Sequence, residues 1–348
     1  RYKLPAREGA EPLDGIGWAL CGGIAVVLFF DLLEGIAPPA DADSLAYHFA
    51  LPKRFLESGG IVFVPKANDA AAPLLLHMSY LATLGLGGEK ALTLWTMVSG
   101  AMSAALVFCI CRWHIGVNWS LATSLVFLST PAVLYGGGAG QVEVRLVLFV
   151  LVAAVCVAEA LRAGDIRYAV LAGLMAGFFA GGKFTGLLFV AICGLMIVMQ
   201  KRWFLHGLVY GIAMLAAGSQ WYGWHWYNTG DPVFPLLFNV LDMPDSDIWN
   251  RAHDAFYRET YFNSENPLPH SLYWYLTYPF IATFGLIPDI EAGRNGLGPF
   301  GLLVLPFAVA GAWRYRHRAI HSPLAIYAII ALAFYTVWFF SGSSQRVR

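Results

Sequence analysis

Long apolar segments are the feature that most constrains how this chain can fold. They lie at about 15–34, 90–111, 118–135, 142–161, 168–182, 184–200, 203–223, 297–313 and 322–341. About 20 helical residues cross a bilayer core of about 30 Å, and a helix satisfies its own backbone hydrogen bonds there. Hydrophobic residues make up 58% of the 348 residues and charged residues only 13%. We therefore predict an all-α polytopic membrane protein, a bundle of about nine transmembrane helices.

Two apolar stretches need separate interpretation. Residues 168–200 are too many for one span and are interrupted at 181–183, so we predict two short helices joined by a tight turn. The segment 73–87 has the shorter length of an interfacial or re-entrant helix, and we predict that it does not cross the membrane. Because no internal repeat and no separate soluble region is visible, 1–348 is predicted to be a single transmembrane domain.

The positions of Lys and Arg predict which helix ends face the cytoplasm. If 73–87 does not cross and the N-terminus is cytoplasmic, all the basic clusters fall on the cytoplasmic side, as Lys and Arg in short loops usually do. They are Arg1, Lys3, Arg7, Arg112, Arg162, Arg167, Lys201, Arg202, Arg314, Arg316 and Arg318. Two long loops with interfacial helices, about 35–89 and 224–296, then face outward. A formal net charge of zero without a basic run argues against a nucleic-acid partner.

Acidic residues stand at the beginning of the first outer loop. Asp41 and Asp43 precede Tyr47 and His48, and Ser44 is a candidate N-cap for the helix that follows. The apolar face of that helix predicts that it lies on the membrane and holds Asp43 at a fixed depth. One interpretation is that both acids are solvated loop residues that favour a helix N-terminus. The other is that Asp43 takes part in chemistry.

Three charged residues stand at the outer ends of later spans. Glu143 and Arg145 follow the glycine-rich stretch 136–140, and Lys183 lies in the turn between two spans. Snorkelling of these side chains to the interface is one explanation. The other is that Glu143 faces a polar cavity and Lys183 binds an anionic lipid headgroup, helped by neighbouring backbone N–H groups.

Histidines on the outer side raise the question of a metal. His48, His77 and His225 lack the tight spacing of metal ligands, so no metal-ligating set is predicted. A divalent metal remains an open alternative.

Several motifs occur in a fixed order along the chain. They are the acid four residues before Tyr47, Leu-Glu-Ser-Gly at 56–59, a Pro-Leu-Leu helix from Pro73, the glycine-rich break before Glu143, Gly-x-x-x-Gly with Lys-x-Thr-Gly at 173–186, and Trp-Tyr with Asn-Thr-Gly-Asp-Pro-Val-Phe-Pro at 221–235. This order resembles the bacterial polyprenyl-phosphate-dependent glycosyltransferases of the GT-C fold, relatives of which include protein O-mannosyltransferases and aminoarabinose transferases of lipid A. The resemblance extends over 15–313.

The resemblance implies a membrane glycosyltransferase of the bacterial cytoplasmic membrane. It implies a polyprenyl-phosphate sugar as donor, transfer with inversion at the outer, periplasmic face, and membrane lipids as partners. By position, Asp43 is implied to be the catalytic base and Glu143 a second acid. The residues implied to bind substrate are Lys183 and Arg145, at the phosphate, together with Tyr47, His48 and Asp41.

The sequence leaves other functions open. Asp43 is followed by Ser44 where these transferases often have Glu, and His77 stands where an acid is expected. The alternative is a non-catalytic GT-C-like subunit of a larger membrane complex. The chain starts at Arg1 and stops just after an apolar segment, so we expect it to be incomplete at one or both ends. A secondary transporter is disfavoured because inverted repeats are not visible.

Overall fold

The fold is all helical throughout the part of the chain that the structure describes. The computed structural model describes residues 12–66, 72–287, 290, 296–342 and 345, and these include no β-strand. The N-terminal basic residues Arg1, Lys3 and Arg7 lie outside this part. The helices are α1 (Gly15–Ile36), α2 (Ala50–Ser58), α3 (His77–Arg112), α4 (Val117–Leu128), α5 (Pro131–Gly138), α6 (Glu143–Ala163), α7 (Ile166–Gly182), α8 (Thr185–Ile197), α9 (Trp203–Gly218), α10 (Gln220–Thr229), α11 (Arg251–Arg258), α12 (Leu272–Phe284), α13 (Pro299–Arg314), α14 (Arg316–Ala319) and α15 (Pro323–Ser341).

Several of these helices are candidate membrane spans. In the described part of the chain, four single helices are long and apolar enough to cross a bilayer, namely α1, α3, α6 and α15. Helices α4 and α5 form a fifth candidate if they are one span, which is bent by 72°. The helices α7, α8, α9 and α13 are apolar but shorter. Each predicted apolar segment therefore corresponds to one of these helices, except 118–135, which corresponds to the bent pair α4 and α5, and the count of nine crossings remains a prediction.

Helix α3 joins two segments that the sequence analysis separated. Its 36 residues bend at Gly88, whose φ of 70° and ψ of −166° are conformations open to glycine. A straight helix of this length would measure about 54 Å, well beyond a bilayer core of about 30 Å. The bend therefore separates 77–87 from 89–112, close to the boundary that the sequence predicted.

The centre of the bundle is α7, which packs against α6, α8 and α9. Its contact with α9 depends on small residues. A Cβ atom at Gly173 would overlap the Tyr210 carbonyl oxygen, and one at Gly177 would overlap the Met214 carbonyl oxygen. The Gly-x-x-x-Gly sequence thus allows the two backbones to touch, as small residues do between membrane helices.

The turn between α7 and α8 confirms the prediction of two helices within 168–200. Helix α7 ends at Gly182, Lys183 has extended backbone angles, and α8 begins at Thr185. The Phe179 and Phe189 rings pack on each other across the turn, with centroids 5.5 Å apart. Lys183 is therefore presented at the end of a helical hairpin.

The prediction that Ser44 caps the first outer helix is wrong. The helical region begins before Ser44, in a π-helical turn at 44–48, and Asp41 is the residue that caps it. The Asp41 Oδ1 atom accepts a hydrogen bond of 2.9 Å from the backbone N–H of Ser44. The Ser44 hydroxyl is buried and accepts instead from the backbone N–H of Gly140, at 2.8 Å.

The first outer loop packs on protein. In α2, Leu51 and Phe55 are buried in a cluster that also contains Leu74 and Trp221. The apolar face that predicted a helix on the membrane therefore covers the outer ends of other helices. This packing holds the preceding turn, with Asp41 and its neighbours, against the bundle.

Hydrogen bonds join some of the helix ends near basic residues. The Asn118 side-chain amide donates to the Asp14 carboxylate at 2.9 Å, and His206 Nε2 lies 3.3 Å from the Gly164 carbonyl oxygen. The described basic residues beside these helix ends are Arg112, Arg162, Arg167, Lys201, Arg202, Arg314, Arg316 and Arg318. That these helix ends face the cytoplasm, opposite the first outer loop, remains a prediction of the charge rule.

Cysteine labelling tests which end faces outward. In a variant without the native cysteines, Ser58→Cys should react with a membrane-impermeant maleimide on intact cells, whereas Arg316→Cys should react only after permeabilisation. The reason is that the predicted topology places α2 outside the membrane and α14 in the cytoplasm. Labelling of Arg316→Cys alone on intact cells would reverse the orientation, and equal labelling of both would contradict the arrangement.

Candidate active site

The candidate site forms where the first outer loop meets the connection between α5 and α6. Two hydrogen bonds to Gly140 fix this meeting. Its N–H donates to Ser44 Oγ at 2.8 Å, and its carbonyl oxygen accepts from the Tyr80 hydroxyl at 3.1 Å. A Cβ atom at Gly140 would overlap Ser44 and Phe49, so the contact needs glycine here.

The two loop acids share one amide donor. The Gln141 Nε2 atom lies 3.2 Å from Asp43 Oδ2 and 3.4 Å from Asp41 Oδ1. Gln141 is buried, so its amide group is shielded from solvent. This amide holds the two carboxylates next to each other. The sequence analysis placed both acids here but missed Gln141. Its position two residues before Glu143 is the one signal that could have identified it.

Glu143 and Lys183 form a direct ion pair. Glu143 begins α6 and Lys183 follows α7, so the pair joins residues that are 40 positions apart in the chain. The side chains of Glu143 and Lys183 are 17% and 36% exposed, so the pair is only partly buried. The second carboxylate oxygen of Glu143 is buried and has no hydrogen-bond partner among the described residues. The two side chains therefore pair with each other instead of extending separately to the membrane interface.

His48 forms a buried pair with His77, which the sequence did not predict. Their Nδ1 and Nε2 atoms lie 2.8 Å apart, and the rings are stacked with centroids 5.0 Å apart. Each residue is 1% exposed. The remaining nitrogens, Nε2 of His48 and Nδ1 of His77, have no partner in the described part of the chain. Burial, and then the neighbouring His77, hold the pKa of His48 well below its usual range.

Tyr47 lies beside this pair. Its ring centroid is 4.0 Å from that of His48 and 6.2 Å from that of His77. The Tyr80 ring packs edge-on against His77 from the other side, at 5.7 Å. The predicted substrate residues Tyr47 and His48 are therefore part of one aromatic cluster.

Arg145 is buried and uses all of its donors within the protein. A guanidinium group has five N–H donors. Its Nε atom donates to Ser99 Oγ at 3.2 Å, and its Nη atoms donate to four backbone carbonyl oxygens. Those carbonyls belong to Thr96, Gly136, Gly137 and Gln141. This geometry does not favour the predicted role in binding phosphate, because no donor points away from the protein.

Two further acids approach the glycine-rich stretch from α1. Asp31 is buried, and its carboxylate lies against Gly137. The Glu34 carboxylate lies against Gly138, where a Cβ atom would overlap it. The positive charge of Arg145 acts on both acids. The sequence analysis missed them, although an acid within an apolar span is a recognised signal for a polar partner.

Three helix N-termini converge beside the ion pair. Helix α3 begins at His77, α6 at Glu143 and α8 at Thr185. A hydrogen bond of 2.9 Å from the Leu75 N–H to the Gly181 carbonyl oxygen ties the first of these to the α7–α8 turn. Helix N-termini carry partial positive charge and free N–H groups, which favour bound anions.

His225 lies apart from the histidine pair. It is fully buried in α10, 6.2 Å from the Phe184 ring, and burial lowers its pKa to about 4. Within the described residues, no three His, Cys, Asp or Glu side chains are grouped closely enough to hold a metal ion.

Comparison with known proteins supports the predicted resemblance. The family model of dolichyl-phosphate-mannose-protein mannosyltransferases matches residues 73–221, somewhat less than half of the chain. No curated protein and no solved structure gives a significant match. The match supports a multi-pass membrane glycosyltransferase of the GT-C type. It includes His77, Glu143, Arg145 and Lys183, whereas Asp41, Asp43, Tyr47 and His48 precede it.

Replacing Arg145 distinguishes a structural role from phosphate binding. Arg145→Lys should lower the free energy of unfolding by about 3 kcal/mol, because several buried carbonyl groups lose their donors. Thermal unfolding in detergent measures this loss. Arg162→Lys, in an exposed pair with Glu159, is the control and should change stability by less than about 0.5 kcal/mol. Normal stability of Arg145→Lys with loss of donor binding would instead support a phosphate contact.

Proposed function

We propose that this protein transfers a sugar from a polyprenyl-phosphate donor to an acceptor at the outer face of the bacterial cytoplasmic membrane. The observation that carries the proposal is that the loop with Asp43 packs on Gly140 and Gln141, directly before Glu143, which pairs with Lys183. One part of this site holds carboxylates that can accept a proton. The other part carries the positive charge of Lys183 and the helix N-termini, which attracts an anion. The family match, which covers Lys183 and Glu143, supports a lipid-linked donor.

The chemical step assigns one task to Asp43. Its carboxylate accepts the proton of the acceptor hydroxyl as that oxygen attacks the anomeric carbon of the donor sugar. The bond from the anomeric carbon to the phosphate oxygen breaks, and polyprenyl phosphate leaves with the electron pair. Attack opposite to the leaving group inverts the configuration. Gln141 holds Asp43 in place by donating to it, and donates to Asp41 as well, at the distances described above.

Lys183 is the proposed contact to the donor phosphate. An ammonium group has three N–H donors, and the Glu143 pair uses one of them. Glu143 therefore orients Lys183, and we assign it this positioning role instead of a second acid. The helix N-termini add donors and positive potential where charge develops on the leaving phosphate. Arg145 is assigned a structural role, and Tyr47 and His48 line the cluster next to the phosphate.

The ion pair also gives the alternative its best support. Because Glu143 offsets the charge of Lys183, the pair can serve as a purely structural contact. A non-catalytic GT-C-like subunit of a membrane complex would retain such a pair without a donor. Turnover and donor binding separate the two functions.

Asp43→Asn tests the base. It preserves the shape of the side chain and removes the charge that takes the proton, so the transfer rate should fall by about 10²–10⁴-fold. Release of polyprenyl phosphate from a panel of polyprenyl-phosphate hexoses and pentoses measures the rate whatever the sugar is. Asp247→Asn, in the second outer loop, is the matched control and should keep the wild-type rate. An unchanged rate in Asp43→Asn would disprove the assignment, and an inactive wild type with every donor would favour the subunit.

Lys183→Met tests the phosphate contact. It keeps the aliphatic chain and removes the charge, so donor binding and turnover should both fall by about tenfold or more, the loss expected for one charged hydrogen bond. Because this change leaves Glu143 without its cation, the double variant Lys183→Met with Glu143→Gln is measured as well. Lys53→Met removes an exposed lysine of the same outer end and is the control. Wild-type donor affinity in the double variant would favour a structural ion pair.

A further inference from the structure

The charges around Lys183 do not balance once an anion binds there. Glu143 already offsets the charge of Lys183, and Arg145 donates to the protein's own carbonyl groups while the Asp31 carboxylate acts on its charge from α1. A donor phosphate diester brings one negative charge into this partly buried place. A buried charge without compensation is costly, so a further positive charge has to come from nearby.

The histidine pair is the group that can supply this charge. The charge of Glu143 raises the pKa of His48, whereas burial, His77, Lys183 and Arg145 lower it. The rings of Tyr47 and Tyr80 also face the pair and are uncharged phenols. Without an anion, the balance leaves both imidazoles neutral. Each then has one nitrogen in the shared hydrogen bond and one that is buried without a partner.

The geometry of the pair favours one shared proton. With 2.8 Å between Nδ1 of His48 and Nε2 of His77, a proton added to the pair converts a neutral hydrogen bond into a charge-assisted one. Two groups this close titrate together, so the proton belongs to the pair and not to one ring. An added anion lowers the free energy of this protonated state.

We infer that the His48–His77 pair takes up one proton when a lipid phosphate binds beside Lys183, and thereby supplies the positive charge that Glu143 cancels on Lys183. The inference rests on the proposed function, adds His77 to its phosphate site and gives His48 a role in taking up a proton. Binding and protonation then favour each other, because each is stronger in the presence of the other. The donor affinity falls as the pH rises through the pKa of the occupied pair, by at most about tenfold per pH unit.

Calorimetry with a phosphate that does not itself titrate tests this coupling. The probe is farnesyl methyl phosphate, a diester with a fixed single charge, and the protein is the full chain in detergent. Titrations in Pipes and in Tris, which have different ionisation enthalpies, give the number of protons taken up. Wild type should take up close to one proton per bound probe near neutral pH. Binding without proton uptake would overturn this inference alone, whereas no binding by wild type would overturn the phosphate site as well.

Variants show where the proton goes. His48→Gln and His77→Gln keep a hydrogen-bonding side chain but cannot be protonated, so each should bind the probe with no proton uptake and a dissociation constant independent of pH. His206→Gln replaces a buried histidine at the opposite end of the bundle and should behave as wild type. Wild-type uptake in both His48→Gln and His77→Gln would assign the proton to another group. If neither variant folds, the proton uptake measured with wild type alone supports or overturns the inference.

Dimethyl phosphate distinguishes a lipid phosphate from a free phosphate ester. It carries the same charge without the prenyl chain, so it should bind at least about tenfold more weakly than the prenyl probe if the chain contributes apolar burial. Equal affinities would overturn the lipid assignment.

Discussion

The site depends on one buried guanidinium group. A charged side chain within a span is costly unless every donor has a partner, and helix interiors offer no free carbonyl groups. The last carbonyl groups of a helix are free, and α5 ends in glycines that bring such groups within reach of Arg145. Arg145 donates to the carbonyl oxygens of Gly136 and Gly137, and the negative charge of Asp31 acts on it from α1. A cation at this end of a helix also complements the helix dipole.

The glycine-rich stretch 136–140 connects Arg145 to the residues of the candidate active site. Once Arg145 fixes 136–141, the N–H of Gly140 meets Ser44 and the amide of Gln141 meets the two loop acids. Two residues further on, α6 begins and directs Glu143 toward Lys183. Side chains from distant parts of the chain are thus brought together by backbone contacts, which do not tolerate a Cβ atom at several of these glycines.

Much of the fold could be predicted because apolar segments and glycines report on membrane spans directly. The division of 168–200 into two helices is confirmed, since a Gly-Gly sequence followed by a lone lysine is a poor helix interior in lipid. The prediction that Ser44 caps the helix was wrong because two acids precede it. The side chain of the earlier acid, Asp41, accepts the backbone hydrogen bond and caps the helix instead. Capping propensity ranks residue types, but it does not determine which of several neighbouring candidates caps the helix.

The contacts of the site could not be predicted, because they join distant residues without a sequence pattern. Glu143 and Lys183 were each identified, but each was interpreted as a separate charge instead of half of a pair. His48 was expected to bind substrate and His77 stood where an acid is expected, but their 2.8 Å contact with each other was not foreseen. Spacing along one helix predicts neighbours, whereas packing between helices decides these pairs.

The unpartnered polar atoms favour a bound ligand over a purely structural role. His48, His77 and Glu143 each have a buried polar atom without a hydrogen-bond partner among the described residues. Such atoms cost about 1–3 kcal/mol each, and a subunit without a ligand would gain stability from apolar residues in their place. The two histidines carry nitrogens that an added proton and a bound anion can use, and His77 and Glu143 stand at the N-termini of α3 and α6. The arrangement is therefore less stable than it need be for folding alone, which is the usual mark of a site that binds something.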